Sequence, residues 1–391
     1  MQFLARRFDD GQLAELTLAA DKIAAIRPSD APPARDQQVP YVAPGLVDIQ
    51  INGFGGQEFS SLELTPAKVS QIVRQHFAFG VTRVCPTLTT QSREVFTHGC
   101  RAVAAACEHD ALTERCVLGI HLEGPYLSPE DGPRGAHPRE HCRAPDWDEF
   151  QQWQEAAAGR IRLMTLAPEW PGTPEFVARA VASGVVISLG HTAASSAQIR
   201  AAVDAGATLS THLGNGAHRQ LRRHPNYLWD QLAEDRLAAS LIVDGHHLPA
   251  EVVKTFVRAK SPERCILVSD VSGLAGLPVG RYVSSGCELE ILPDGRLVIA
   301  GQDQLLAGAS LPLGVGVVNV MRFAGVDLGT AIRMATTNPA LRLHAAVGQL
   351  EVGGAADLVL FDLPPDHEPA ELRMRATLVA GDVVFGALPT K

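Results

Sequence analysis

Eight short apolar runs alternate with helix-like segments between residues 45 and 270. Nearly continuous apolar runs are typical of parallel strands that are buried on both faces, and several intervening segments begin at Ser or Thr-Pro and end at Gly, as helices do. This alternation predicts an α/β fold, a (β/α)8 barrel of the TIM type. A doubly wound open sheet is the alternative, but the chain lacks the Gly-rich dinucleotide fingerprint of that fold. The runs are 45–51, 81–86, 117–123, 162–168, 185–191, 207–213, 239–245 and 265–270.

Both ends of the chain have a strand-like texture that differs from the barrel pattern. "AELTL" and "KIAAIRP" lie near the start, and "TLVAGDVVFG" lies near the end. We therefore expect residues 1–43 and 345–391 to form one small β-sandwich domain, and residues 44–344 to form the barrel. After the eighth run, Asp294-Gly295 indicates a hairpin, and helices are expected near 310–323 and 328–344.

Composition limits the classes of function. The formal net charge of −9 over 391 residues disfavours a nucleic-acid-binding protein. We expect no membrane span, because no uncharged apolar run reaches about 18 residues. The first twelve residues lack the apolar core of a signal peptide. Seven cysteines without a C-x-x-C pair indicate a reduced, cytoplasmic chain.

Polar side chains follow several of the predicted strands, at the barrel end where catalytic groups lie. Glu123, His191 and His212 lie at the ends of the third, fifth and sixth runs, and two histidines with one carboxylate suit a hydrolytic zinc that keeps an open position. Asp270, which ends the eighth run, could move the proton of an attacking water. Each residue alone could be a cap or a solvated loop residue, and only their coincidence favours a site. His121 is expected to support the ligands rather than to be one.

The first run indicates that the site holds one metal. Binuclear hydrolases on this barrel often carry His-x-His on strand one, whereas Asp48, Gln50 and Asn52 stand here. Gln and Asn are poor ligands for a transition metal. The fourth run, "RLMTLAPE", has no lysine that could bridge two metals.

Several motifs, in this order, resemble the N-acetylglucosamine-6-phosphate deacetylases of the amidohydrolase superfamily. They are "PGLVDIQINGFGG", "HLEGPYLSPEDGPRGAHP", "TLAPE", "SLGHTAAS", "THLGN", "IVDGHHL", "LVSD" and "LAGASL". The resemblance extends from Pro44 to the segment "GQLEVGGAADLVLFD", and it implies hydrolysis of an N-acetyl group to acetate and an amino sugar phosphate.

The resemblance also implies a role for individual residues. It makes Glu123, His191 and His212 the ligands of one divalent metal, expected to be Zn²⁺, and Asp270 the catalytic acid and base. It implies a homodimer, because some phosphate contacts come from a neighbouring subunit. The implied substrate-binding residues are His137 near the acetyl carbonyl, Asn215, Gly216 and Arg223 at the phosphate, His247, and Ala307 and Gly308 beside the sugar.

The loop after the sixth run departs from the family pattern. The family usually has His-Leu-aromatic-Asn-Ala-Met, but this chain has Gly214, Gly216 and His218, followed by a cationic stretch over 219–224. Such a cluster is usually a solvated loop, although it would also suit an anionic substrate. The alternatives left open are deacetylation of N-acetylgalactosamine 6-phosphate, of another N-acyl amino sugar or of an N-acyl amino acid, and a non-catalytic scaffold.

Overall fold

The structure is a computed structural model that describes residues 1–29, 38–284, 287–366, 368 and 370–389. Its first three strands form an antiparallel meander, and the fourth strand pairs in parallel with the first. Alternate side chains of the second strand are buried, as expected for a strand with one face on a core. The strands are β1 (Gln2–Arg7), β2 (Leu13–Ala19), β3 (Lys22–Pro28) and β4 (Tyr41–Pro44).

Eight parallel strands form the barrel, and each predicted apolar run contributes one of them. The sheet runs in chain order from the first strand to the eighth, and a backbone bridge between Ile51 and Val271 brings its two ends together. This closure confirms the TIM-type barrel and excludes the open doubly wound sheet. The barrel strands are β5 (Leu46–Ile51), β8 (Val81–Thr89), β9 (Ile120–Glu123), β10 (Ile161–Leu166), β11 (Val186–Leu189), β12 (Leu209–Ser210), β13 (Ala238–Leu241) and β14 (Cys265–Leu267), and β6 (Gly53–Phe54) and β7 (Gln57–Glu58) form a short hairpin after the first of them.

The helices between these strands begin at the residues that the sequence suggests. Thr65, Ser92 and Ser195 each accept a hydrogen bond from a backbone N–H of the first turn. No helix in the described part of the chain has the length and apolar character needed to cross a membrane. The helices are α1 (Pro66–Gln75), α2 (Arg93–His109), α3 (Ala111–Cys116), α4 (Trp147–Ala156), α5 (Thr173–Ala182), α6 (Ser196–Asp204), α7 (Tyr227–Ala233) and α8 (Ala250–Lys260).

An antiparallel sheet follows the last barrel strand. The hairpin expected around Asp294 joins its second and third strands, and the segment after its fourth strand returns to the barrel, where Ala309 pairs with Val271. The expected helix over 328–344 is instead two helices, because Pro339 has no N–H with which to continue an α-helix. These elements are β15 (Gly280–Ser284), β16 (Cys287–Ile291), β17 (Leu297–Ile299), β18 (Gln302–Leu306), α9 (Leu313–Ala324), α10 (Leu328–Met334) and α11 (Thr337–Arg342).

The chain ends in three strands that join the first four in one seven-stranded sheet. Lys22 of the edge strand β3 bridges to Ala355, so the sheet folds back on itself and encloses a core that includes Phe3, Leu16 and Leu358. The expected β-domain built from both termini is confirmed, while its bounds at residues 43 and 345 stay a prediction. The last strands are β19 (Leu358–Asp362), β20 (Arg373–Val379) and β21 (Asp382–Gly386).

Candidate active site

Three predicted ligands converge at the carboxyl ends of neighbouring barrel strands. Glu123 is the last residue of β9, while His191 and His212 each lie two residues beyond the end of β11 and β12. Their ligand atoms all lie within 4.8 Å of one another. Glu123 Oε1 is 3.3 Å from His191 Nε2 and 3.0 Å from His212 Nε2, and the two Nε2 atoms are 3.1 Å apart.

The backbone at the ends of these strands adopts an unusual conformation. His191, His212 and Asp270 have φ values of 50°, 28° and 54°, in the left-handed region that side chains other than glycine rarely adopt. Such conformations persist only where the surrounding structure holds them, and they cluster at functional sites. Three of the four residues that the sequence placed in the reaction therefore share the same strained geometry.

The chemistry of this cluster fits a divalent metal. His191 Nδ1 lies 2.8 Å from the Pro133 carbonyl, to which it must donate a proton, so Nε2 is the nitrogen that the neutral ring would offer to a metal. Two imidazole nitrogens and a carboxylate oxygen thus share a buried space, and such a set requires a proton or a cation between its members. Two nitrogens and one oxygen form a typical zinc ligand set that leaves a fourth position open.

Asp270 lies in an environment that favours proton transfer near neutral pH. Burial raises the pKa of this carboxyl to about 7, and the negative charge of Glu123 adds to the rise. Asn52 Nδ2 donates a 2.9 Å hydrogen bond to Asp270 Oδ1, which fixes the side chain. In contrast, although burial opposes it, contact with His191 and His212 holds the pKa of Glu123 well below its usual range.

His137 joins the cluster from the loop that follows β9. Its Nε2 lies 3.2 Å from His191 Nε2, and the two rings meet edge to face with centroids 4.3 Å apart. Burial, together with the neighbouring His191, lowers the pKa of His137 to about 3, so the ring is neutral at pH 7. His137 therefore lies beside the predicted ligands, and its contact with the acetyl carbonyl stays a prediction.

Asn215 and Gly216 lie in the loop after β12 and line a small cavity beside His191. The Asn215 side-chain nitrogen is buried without a hydrogen-bond partner among the described residues. Gly216 has a φ of +56°, and a Cβ at this position would lie 2.6 Å from His191 Nδ1. The loop thus approaches the ligand so closely that only glycine fits.

The remaining predicted residues lie at different distances from the cluster. Gly308 precedes Ala309, which pairs with Val271 next to Asp270, so Ala307 and Gly308 lie along the rim of the barrel mouth. His247 follows β13, where its Nδ1 contacts Asp244 Oδ2 at 2.7 Å.

Arg223 does not lie with the cluster. Its side chain is exposed, and it lines a surface pocket with Trp229 and Phe256 rather than the cavity beside His191. The structure therefore puts this arginine in a surface pocket next to the cavity of Asn215 and Gly216, and Leu228 lines both.

His121 lies outside the metal-ligand group found among the described residues. Its ring contacts Thr165 Oγ1 at 2.8 Å and Thr87 Oγ1 at 3.3 Å, and burial lowers its pKa to about 4. This neutral histidine links neighbouring strands through two hydroxyls, whereas the expected support of the metal ligands stays a prediction.

The first barrel strand carries residues that sequence reasoning discounted. Gln50 Nε2 donates to Glu123 Oε1 at 2.9 Å, Asn52 donates to Asp270, and Asp48 is fully buried beneath them. Their spacing of two residues puts all three on one face of the strand. That alternation was visible in the sequence, but their partners, 73 and 218 residues away, were not.

Comparison with known proteins agrees with this geometry. The profile of the Amidohydrolase family matches residues 41–384. N-acetylglucosamine-6-phosphate deacetylase from Bos taurus is 34% identical over 357 residues, which cover 88% of this chain and 83% of the relative. N-acetylgalactosamine-6-phosphate deacetylase from Shewanella sp. (strain ANA-3) is 33% identical over 349 residues, covering 88% and 83% of the two chains.

The fold is shared with solved structures as well. A mutant N-acetyl-D-glucosamine-6-phosphate deacetylase from Mycobacterium smegmatis, in complex with N-acetyl-D-glucosamine-6-phosphate, superposes with a TM-score of 0.84 at 30% identity, covering 98% of this chain and 99% of the other. The solved relative thus shares the fold of this protein over nearly the whole chain. The chain belongs to the amidohydrolase family, among the N-acetylglucosamine-6-phosphate deacetylases that its motifs resemble.

Proposed function

We propose that this enzyme hydrolyses the N-acetyl group of N-acetylglucosamine 6-phosphate and releases glucosamine 6-phosphate and acetate. The observation that carries the proposal is the buried cluster of Glu123, His191 and His212 beside Asp270. The relatives bearing this name cover most of the chain, and the complete cluster argues against a non-catalytic scaffold.

The metal in this proposal is one Zn²⁺ ion held by Glu123, His191 and His212. When bound, such an ion supplies a Lewis acid that lowers the pKa of water and polarises a carbonyl. The hydrogen bond from His191 Nδ1 to the Pro133 carbonyl fixes the ring and directs its Nε2 at the site. Gln50 fixes the side chain of Glu123 by donating a hydrogen bond to its Oε1.

Asp270 moves the proton. It accepts a proton from the attacking water as the oxygen bonds to the acetyl carbon, and it returns this proton to the sugar nitrogen as the C–N bond breaks. Asn52 holds Asp270 in place for both steps. The neutral ring of His137 lies beside the ligands, where it would contact the acetyl carbonyl.

The phosphate end of the substrate would bind at the loop after β12. The unpartnered Asn215 amide and Gly216 line the cavity next to His191, and His247, Ala307 and Gly308 would border the sugar. Arg223 is exposed and does not line this cavity, which favours a homodimer in which it reaches the site of the neighbouring subunit. Arginine suits this role because its guanidinium binds phosphate through two hydrogen bonds.

We also propose that the enzyme works in the cytoplasm. Six described cysteines are free thiols, and five of them are buried, which suits a reducing compartment.

A second candidate substrate is N-acetylgalactosamine 6-phosphate. A relative with 33% identity bears that name, and Gly214 and Gly216 change the loop nearest to the proposed phosphate site. The two sugars differ only in the configuration at one hydroxyl-bearing carbon, and they would therefore share the mechanism.

Acetate release tests the function. The two phosphorylated sugars and unphosphorylated N-acetylglucosamine are compared, with Asp270→Asn as the control. We expect turnover of a phosphorylated sugar, and a decrease in kcat of about 10²–10⁴-fold in the variant, the usual contribution of a general acid and base. Asparagine has the shape of aspartate and can still accept the hydrogen bond from Asn52, so the loss would reflect proton transfer. A metal-loaded enzyme without turnover of either phosphorylated sugar would refute the proposal.

A further inference from the structure

Asp48 is a buried carboxylate that the proposed mechanism does not use. It lies on β5, two residues before Gln50 and on the same face of the strand, and none of its surface is exposed. Its Oδ1 lies 3.3 Å from the backbone nitrogen of Gln50, and both of its oxygens lie 3.3 Å from the backbone nitrogen of Ser269. Ser269 directly precedes the catalytic Asp270.

This carboxylate lies at the seam where the barrel closes. β5 and β14 are the first and last strands of the sheet, and they do not pair with each other as neighbouring strands in the ladder do. The seam is joined instead by single contacts beyond the end of β14. The Asp270 N–H donates to the Gln50 carbonyl at 3.0 Å, and the Asn52 N–H donates to the Val271 carbonyl at 2.8 Å.

The backbone donors around Asp270 show what Asp48 contributes. The N–H of Val268 bonds to the Leu241 carbonyl, and the N–H of Val271 contacts Ser269 Oγ. The N–H of Ser269 instead donates to a side chain across the seam, the carboxylate of Asp48. A buried backbone donor without an acceptor is unfavourable, so loss of Asp48 would leave Ser269 to shift toward another partner.

Such a shift would reach the reacting carboxyl. Asp270 has a φ of 54°, a conformation that its neighbours must impose. Its backbone N–H is held by the Gln50 carbonyl of β5, and its side chain is held by the Asn52 amide. Catalytic groups tolerate little displacement, since an error of about 1 Å can cost as much as 10²-fold in rate.

We propose that Asp48 is a positioning residue, which holds the backbone at Ser269 so that the Asp270 side chain faces the metal ligands. The role rests on the proposed function for its kinetic consequence, but its structural consequence, a fixed backbone at residues 269–271, does not depend on the substrate. The hydrogen bonds described for Asp48 go to the backbone of Gln50 and Ser269 and not to the three predicted ligands, so we expect its loss to leave the metal in place.

Asp48→Asn tests the role. Asparagine matches aspartate in size but offers one acceptor oxygen instead of two, and its NH₂ group would face the N–H of Gln50 or Ser269. Asn338→Ala is the matched control. The Asn338 side chain is also buried, and it donates at 2.8 Å to the carbonyl of Cys265, the first residue of β14, at the end of this strand away from Ser269. If Asp48→Asn does not fold, Ser269→Ala takes its place as a change in the same segment, since Ser269 Oγ accepts a hydrogen bond from the Val271 N–H at 3.4 Å.

Three measurements are made on each metal-loaded variant: steady-state kinetics, metal content, and hydrogen exchange of the amides of residues 269–271. We expect Asp48→Asn to lower kcat at least tenfold with KM within about twofold and one metal per chain, and to accelerate exchange at these amides. The smaller Ser269→Ala change should lower kcat about threefold. Asn338→Ala should lower the melting temperature but leave kcat and these amides unchanged.

The outcomes separate the two proposals. An active wild type with an equally active, folded Asp48→Asn variant would overturn the positioning role. If only Ser269→Ala folds, an unchanged kcat together with fast exchange of the Ser269 amide in the wild type would overturn it. A wild type without turnover would refute the proposed function, and the exchange data would then decide the positioning role alone. Unchanged protection of residues 269–271 would overturn it.

Discussion

Substitution of Gly216 by alanine should weaken metal binding through contact with one ligand. The backbone cost is common to any left-handed glycine, and moving an alanine into this region costs about 1 kcal/mol. At Gly216 the new Cβ would lie 2.6 Å from His191 Nδ1 and 2.9 Å from its Cε1. An ordinary contact starts at 3.4 Å, so the nearest atoms must separate by 3.4 − 2.6, or about 0.8 Å.

The ring of His191 cannot absorb this displacement without loss. Its Nδ1 is held by the Pro133 carbonyl at 2.8 Å, and metal–ligand distances tolerate only about ±0.2 Å. Disturbing a residue that orients a ligand usually lowers metal affinity about 10–100-fold, or about 1.4–2.7 kcal/mol. We expect a loss in this range for Gly216→Ala.

Gly159→Ala separates the contact from the backbone cost. Gly159 has a φ of +76°, and a Cβ there would have no atom within 4 Å, so this variant bears the backbone cost alone. Metal affinity is measured by competition with a chromophoric chelator, and stability by thermal unfolding of the metal-free proteins. Gly159→Ala should bind metal as the wild type does. Equal metal affinity in the two variants would refute the steric reasoning.

Two further predictions concern the subunit interface and the response to pH. Arg223→Ala should raise KM for the phosphorylated sugar. If Arg223 serves the neighbouring subunit's site, mixing the Arg223→Ala and Asp270→Asn proteins under subunit-exchange conditions should restore activity. No restoration would place Arg223 in the site of its own chain. His76 is fully buried, and burial lowers its pKa from 6.5 to about 4, so the unfolded chain binds its proton first as pH falls. This difference of 6.5 − 4, or 2.5 pH units, should lower the free energy of unfolding by on the order of 3 kcal/mol. The loss of stability begins as the pH falls below 6.5 and is complete below pH 4. Denaturant titrations at pH 7.5 and 4.5 should therefore show a smaller decrease for His76→Leu than for the wild type, and equal decreases would contradict the assignment.

The barrel could be predicted from the sequence because its signal is local. Each strand is an apolar run, and the residues that end three of them, Glu123, His191 and His212, meet at one mouth simply because parallel strands end at the same edge. The split between α10 and α11 was missed because Pro339 interrupts a pattern that otherwise keeps the helical period.

Other features depend on contacts between distant segments. The Pro133 carbonyl that orients His191 and the cavity that receives the Asn215 amide arise from loops whose paths are not encoded in a local pattern. The position of Arg223 is similar: its charge suggested a phosphate site, but the loop carries it to an exposed pocket. Sequence therefore predicts which chemistry is available, and the loop paths decide where it is used.

The first strand supports a single metal more strongly than its sequence alone does. Glu123 is ionised and can only accept hydrogen bonds, so the Gln50 amide must turn its NH₂ group toward this carboxylate. Gln50 therefore presents a hydrogen-bond donor where a second metal would need a lone pair. The same reasoning applies to Asn52 and the ionised form of Asp270. In a binuclear site, histidines at these two positions would bind a metal and leave both carboxylates without these donors. Here the amides instead orient Glu123 and Asp270, the proposed ligand and proton carrier, as the proposed one-metal hydrolysis requires.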